Sequence, residues 1–151
     1  QRDRFMVRLQ LGYPYADAEL RMVQARKTHT PLSDLRTVVS SAGFQREIDA
    51  AHAVRAHELV EQYAVRLVRA TREQQVVRIG ASPRATLQLL RAAKARAHLE
   101  GRDWLSPDDV KLLARQVLPH RILLHDQAAT VDDARTVVDR VLDTTPAPRA
   151  R

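Results

Sequence analysis

The sequence predicts an all-α domain, a helical bundle preceded by one β-strand. Three observations carry that expectation. Apolar residues recur at three- and four-residue spacing over most of the chain, from Ala16 to Val141. Ser82-Pro83, Ser106-Pro107 and Thr130 stand where helices begin, each a residue able to cap a helix N-terminus. Strict two-residue alternation is strong at one place only, residues 5–11. With 151 residues, 44% of them hydrophobic and 28% charged, the chain has globular composition and enough length for one packed core.

In that alternating stretch Phe5, Val7, Leu9 and Leu11 are separated by Met6, Arg8 and Gln10, and Gly12-Tyr13-Pro14 ends it. A single strand cannot satisfy its own ladder, and Val76–Ile79 and Arg121–Leu124 are short as partners. Residues 1–13 are therefore expected to be the last strand of a sheet whose other strands lie upstream. A chain opening on Gln1 rather than Met fits an excised segment.

Helices follow. Ala16, Leu20 and Val23 share a stripe, with Asp17 and Glu19 in the first turn where the helix dipole favours acids, and this helix is expected to end near Lys27. Thr28–Ser41, interrupted by Pro31, reads as an extended connection. Phe44, Ile48 and Ala51 mark a short helix over 44–54, and Val60, Tyr63, Ala64, Leu67, Val68 and Thr71 mark one beginning near Glu58. The helix opened by Ser82 runs to about Glu100 and stops at Gly101, with Leu89, Leu90, Ala93 and Ala97 on its buried side. Ser106-Pro107-Asp108-Asp109 opens the next, whose stripe is Val110, Leu113, Ala114 and Val117; Thr130-Val131-Asp132-Asp133 opens the last, over Ala134, Val137, Val138 and Val141. The two aspartate pairs lie in first turns and read as caps, not as catalytic carboxylates. Thr144–Arg151, with two prolines and no apolar period, reads as a flexible tail.

Several chemistries are unsupported. The chain has no cysteine, so it has neither disulfides nor a thiolate metal site. His29, His52, His57, His98, His120 and His125 show no metal-binding pair around a glutamate, and no metal is expected. Gly12, Gly43, Gly80 and Gly101 are too dispersed for a phosphate-cradling loop, and no serine sits in a nucleophile elbow. No apolar run approaches the ~20 residues that cross a bilayer, and no signal-peptide pattern opens the chain, so a soluble cytoplasmic protein is expected. The formal charge of +7 is scattered along helices at Arg66, Arg69, Arg72, Arg91, Lys94 and Arg96 with few aromatics between, which argues for solvated surface rather than a nucleic-acid face.

Gly80-Ala81-Ser82-Pro83-Arg84-Ala85 is the stretch that asks for explanation. Ser82 suits the N-cap, its hydroxyl accepting a backbone N–H, and Pro83 suits the first helical position. Arg84 then sits in the first turn, where the dipole disfavours a cation by about 0.3–1 kcal/mol. It reads either as a solvated arginine or as half of an anion site, since helix N-termini attract phosphate and a guanidinium fork fits phosphate oxygens.

Asp3-Arg4-Phe5 ahead of an apolar strand, Val65–Arg72, the Gly80–Ala85 stretch, Ser106–Lys111 and Val117-Leu118-Pro119-His120-Arg121 together, in this order and spacing, resemble the C-terminal part of MoxR-type AAA+ ATPases over nearly the whole chain. The resemblance implies the last strand of the ATPase core over 1–13, a helical lid domain over 14–143 and a tail over 144–151. It implies that Arg4 is an arginine finger reaching the terminal phosphate held by a neighbouring subunit. It implies that Arg84, presented by Ser82 and Pro83, is the sensor-2 residue reaching the nucleotide of its own subunit. ATP and Mg2+ are then ligands of the full-length protein, and none is expected to bind this segment tightly. Without a phosphate-binding loop the segment alone is expected to be inactive. The implied partners are its own upstream core, neighbouring subunits in a ring, as a hexamer, and a client protein that is remodelled, matured or loaded with metal. Two other readings fit the residues: a basic helix-turn-helix-like nucleic-acid module, and a non-catalytic helical adaptor.

Overall fold

The computed structural model describes residues 2–26, 34–126 and 128–148. The chain divides into two compact units, one of Gln1–Arg8 with Glu47–Arg151 and one of Leu9–Arg46. In chain order the elements are α1 (Ala16–Arg26), α2 (Ser41–Ala53), α3 (Glu58–Ala70), β1 (Val77–Ile79), α4 (Pro83–Leu99), α5 (Pro107–Val117), β2 (Leu123–Leu124) and α6 (Val131–Thr144). The all-α class read from the apolar period is the class observed.

The smaller unit holds α1 and the start of α2. Its stripe is exposed, Leu20 at 57% and Val23 at 51%. Ser40 caps α2, its Oγ accepting from Gly43 N at 3.0 Å, and so α2 begins three residues before the Phe44 that the apolar spacing marks. The connection expected over Thr28–Ser41 lies partly outside the described residues; residues 35–40 carry no helix or strand.

In the larger unit α3, α4, α5 and α6 surround one core of Tyr63, Leu67, Val68, Leu89, Val110, Val117, Leu118, Val138 and Val141. The stripe residues predicted for α3, α5 and α6 are buried. Ala85, Ala93, Ala97 and Ala114 are also fully buried, and these small side chains let α4 approach its neighbours closely. Gly101, at φ 74°, ends α4 in a left-handed turn: its N–H bonds to His98 O and that of Arg102 to Ala97 O, each at 2.9 Å.

The alternation at residues 5–11 meets no neighbouring strand among the described residues and joins no ladder. Arg2–Arg4 is one 3-10 turn, and the chain from Phe5 to Tyr15 has no regular element. The ladder that does form joins the two short runs judged poor partners: β1 and β2 pair antiparallel, Val77 with Leu124 and Ile79 with Leu123. At the other end, Thr145 is buried and Ala147 packs against the core, while residues 149–151 lie outside the described ones.

The aspartates act as caps, and one does more. Ser106 and Thr130 each form a reciprocal capping box, with Asp109 and Asp133 as partners. Asp109 is completely buried and also accepts hydrogen bonds from Arg96 and, through both oxygens at 2.7 Å, from Arg102. Burial opposes its ionisation, but the Arg102 and Ser106 hydrogen bonds prevail and hold the carboxyl well below the usual carboxylate range.

Candidate functional site at the start of helix α4

The end of α3 builds the platform on which α4 starts. Thr71, fully buried, donates from Oγ1 to Val68 O at 2.7 Å and accepts from Ala81 N at 3.0 Å. Arg72 Nε donates to Ala81 O at 2.8 Å. Both backbone polar groups of Ala81 are thereby met by the Thr71-Arg72 pair. Gly80 passes so close that a Cβ there would lie 2.6 Å from Arg72 Cγ and 2.7 Å from Arg72 Cα.

Ser82 occupies the N-cap with extended backbone, and Pro83 follows at the first position, as the sequence predicts. The Ser82 side chain departs from expectation. It caps no backbone N–H; its Oγ instead donates to the Asp3 carboxylate, at 2.9 Å to Oδ2 and 3.1 Å to Oδ1. A carboxylate from the opening turn of the chain thus stands at the positive end of α4, where it is electrostatically favoured.

The turn carrying Asp3 and Arg4 is held from the other side by Pro119–Arg121, a 3-10 turn after α5. Arg121 is buried over its whole side chain. Its Nη1 donates to Asp3 O at 2.7 Å and Asp3 Oδ1 at 2.9 Å, and its Nη2 to Phe5 O and to Gln88 Oε1 of α4. Burial pushes this guanidinium below its usual range, Asp3 opposes that shift, and the nearby charge of Arg84 adds to it. His120 Nε2 lies 2.9 Å from Phe5 O, so this nitrogen carries the proton and donates. Burial lowers the His120 pKa, with the Arg121 and Arg8 charges acting the same way.

Arg4 and Arg84 are thereby brought to the same end of the larger unit, one on the clamped turn and one in the first turn of α4. Both are exposed, and neither side chain has a hydrogen bond or ion pair among the described residues. Ser82 joins the Arg4 turn through Asp3, and Pro83 fills the first position of α4. Sequence reasoning missed Arg121, His120 and Gln88, whose partners lie across the chain; only the Pro119-His120-Arg121 motif pointed there. No cluster of three or more metal-ligating side chains occurs among the described residues, and no helix there is long and apolar enough to cross a membrane.

Four helices packed on one core with a short two-stranded ladder form the larger unit, and residues 69–142 match the AAA lid domain family. The chain corresponds to the C-terminal, lid-bearing segment of MoxR-type AAA+ proteins. It is 38% identical over 131 residues to the uncharacterized protein YeaC of Bacillus subtilis, covering 85% of this chain and 40% of that protein. It is 32% identical over 159 residues to chaperone MoxR1 of Mycobacterium tuberculosis, covering 99% and 42% respectively. The crystal structure of a candidate ATPase from Cytophaga hutchinsonii superposes with a TM-score of 0.82 at 27% identity, over 97% of this chain and 48% of that one. The chain thus spans less than half the length of each of these relatives.

Proposed function

We propose that this chain is the sensor-bearing lid of an ATPase that works in a ring, coupling ATP binding and hydrolysis to remodelling, maturation or metal-loading of a client protein. The observation that carries the proposal is the exposed, unpaired guanidinium of Arg84 at the N-terminus of α4. The Asp3 carboxylate stands at that helix end on Ser82 but makes no ion pair with Arg84 among the described residues, so the guanidinium is left for a phosphate to meet. The residues present therefore fit the terminal phosphates of a nucleotide held by the upstream core. ATP with its Mg2+ supplies the phosphoryl group; the chain's own contribution is to close over it and place charge.

In this reading Arg84 reads the nucleotide of its own subunit, and Arg4 is offered to the nucleotide of the neighbouring one, with a hexamer as the expected ring. Phosphoryl transfer is accelerated chiefly by positioning and by cations where charge develops, and an arginine finger is worth roughly 10³–10⁵ in rate. Arg84→Ala in the full-length protein should weaken nucleotide binding and lower the ATPase rate together. Wild-type affinity and rate in that variant would remove the sensor role. Arg4→Ala should spare binding and lower hydrolysis. The proposed place of work is the cytoplasm, in keeping with the lack, among the described residues, of a helix long and apolar enough to cross a membrane.

A further inference from the structure

Arg121 is a cation whose whole side chain is withdrawn from water. A guanidinium withdrawn from water is tolerated only when its donors are met. Here they are met almost entirely by the segment around Arg4: the carbonyls of Asp3 and Phe5, that of Met6 at 3.4 Å, and the Asp3 carboxylate. The remaining acceptors are Val117 O, at 2.8 Å from Nε, and Gln88 Oε1. A planar fork that grips carbonyls on both sides of one residue fixes the backbone of that residue. Gln88 extends the grip, since its Nε2 donates to Arg4 O at 3.4 Å. It lies one turn beyond Arg84 on the same helix, and Ser82, two residues before Arg84, holds the Asp3 carboxylate.

We infer that Arg121 is a positioning residue that locks the Arg4 turn to helix α4, so that a nucleotide held at Arg84 sets how Arg4 is presented to the neighbouring subunit. The inference rests on the roles proposed above for Arg4 and Arg84. Three contacts link the two arginines: Ser82 to Asp3, Gln88 to Arg4 O, and Arg121 to both Gln88 and the turn. Movement of α4 as its N-terminus gains or loses a phosphate is then transmitted to Arg4 without passing through the core strands. A buried arginine serving stability alone would leave the chemistry of an intact ring unchanged.

The test uses the full-length protein with Arg121→Met and, because loss of a buried cation can disturb folding, Gln88→Leu as a second variant of similar volume. Misplacing a catalytic group by about 1 Å costs on the order of 10² in rate, so kcat should fall by about that factor in Arg121→Met, and less in Gln88→Leu, while KM and ATP affinity stay within about twofold of wild type. Mixing Arg121→Met subunits with Arg84→Ala subunits should restore only part of the ATPase activity, because mixed interfaces join an intact Arg84 to an Arg4 whose Arg121 lock is whole but whose own subunit no longer senses its nucleotide. Unchanged kcat in folded variants overturns the inference, as does a loss of nucleotide affinity equal to the loss of kcat with no recovery on mixing. An Arg4→Ala protein that hydrolyses at the wild-type rate overturns the finger reading as well, which tells the two failures apart.

Discussion

Gly80 has no left-handed backbone to justify it; what it supplies is the absence of a Cβ where the chain crosses the backbone of Arg72. Gly80→Ala would press a methyl group against atoms that cannot swing aside, and overpacking of this kind costs about 1–3 kcal/mol, measurable as a lower urea midpoint at unchanged slope. Two buried titratable residues make further predictions through pH. His120 is held neutral below its ordinary pKa, so the unfolded chain takes up the proton first, and stability falls as pH drops below about 6.5. Asp109 is held ionised, so its contribution is complete above about pH 4 and is lost as pH falls further. Urea midpoints between pH 7.5 and 3 (roughly the range spanning both groups) should therefore decline in two windows. His120→Gln, which keeps a donor for Phe5 O, should remove its share of the upper decline, and Asp109→Asn should reduce the lower one. If His120→Gln leaves the profile above pH 5 (about the lower edge of its window) unchanged, the buried neutral imidazole is not what the pH dependence reports.

Helix starts show where local sequence suffices and where it does not. Ser106 and Thr130 cap as expected because donor, acceptor and spacing all lie within four residues of sequence. Ser82 has the same chemistry and nearly the same flanks, yet its hydroxyl turns to Asp3, 79 residues away. No local pattern could reveal that. The difference is measurable by a double-mutant cycle. Ser82→Ala should destabilise the wild-type chain but cost little in an Asp3→Ala background, a coupling of about 0.5–3 kcal/mol; equal costs in both would mean that Ser82 acts on the helix. The same division accounts for most of the fold. Helix periods, proline-led starts and the Gly101 stop are local and were legible. His57, which caps α3 by accepting from Leu59 N at 3.2 Å, gave no signal because histidine is an uncommon cap. The β1–β2 ladder is not legible in the sequence, because strands of three and two residues carry too little alternation. Of the candidate site, Arg4 and Arg84 were legible as motif members, whereas Arg121 was not, since its partners at Asp3 and Phe5 lie 118 and 116 positions away.

At the scale of the whole molecule, the proposed role asks Arg84 and Arg4 to meet a phosphate, while the sequence carries no glycine-rich phosphate-binding motif to hold one. The motif whose backbone N–H groups give a nucleotide site its affinity is absent from the sequence, so what Arg84 and Arg4 would offer a phosphate is a few charge-assisted contacts in contact with water. Such contacts survive screening poorly, and about 4 kcal/mol of binding free energy corresponds to a dissociation constant near 1 mM. ATP titrated onto the isolated chain and followed by NMR should therefore shift the amides of Arg84 and Ala85 with about millimolar affinity at low salt, lose most of that binding by about 0.5 M salt, and yield no ADP. The +7 charge sharpens the test, because scattered basic residues attract a tetraanion everywhere; only shifts concentrated at the start of α4 and removed by Arg84→Ala count as binding at the proposed site. Micromolar affinity that persists at high salt would mean a complete nucleotide site inside the lid, and the division of labour between lid and core argued above would have to be abandoned.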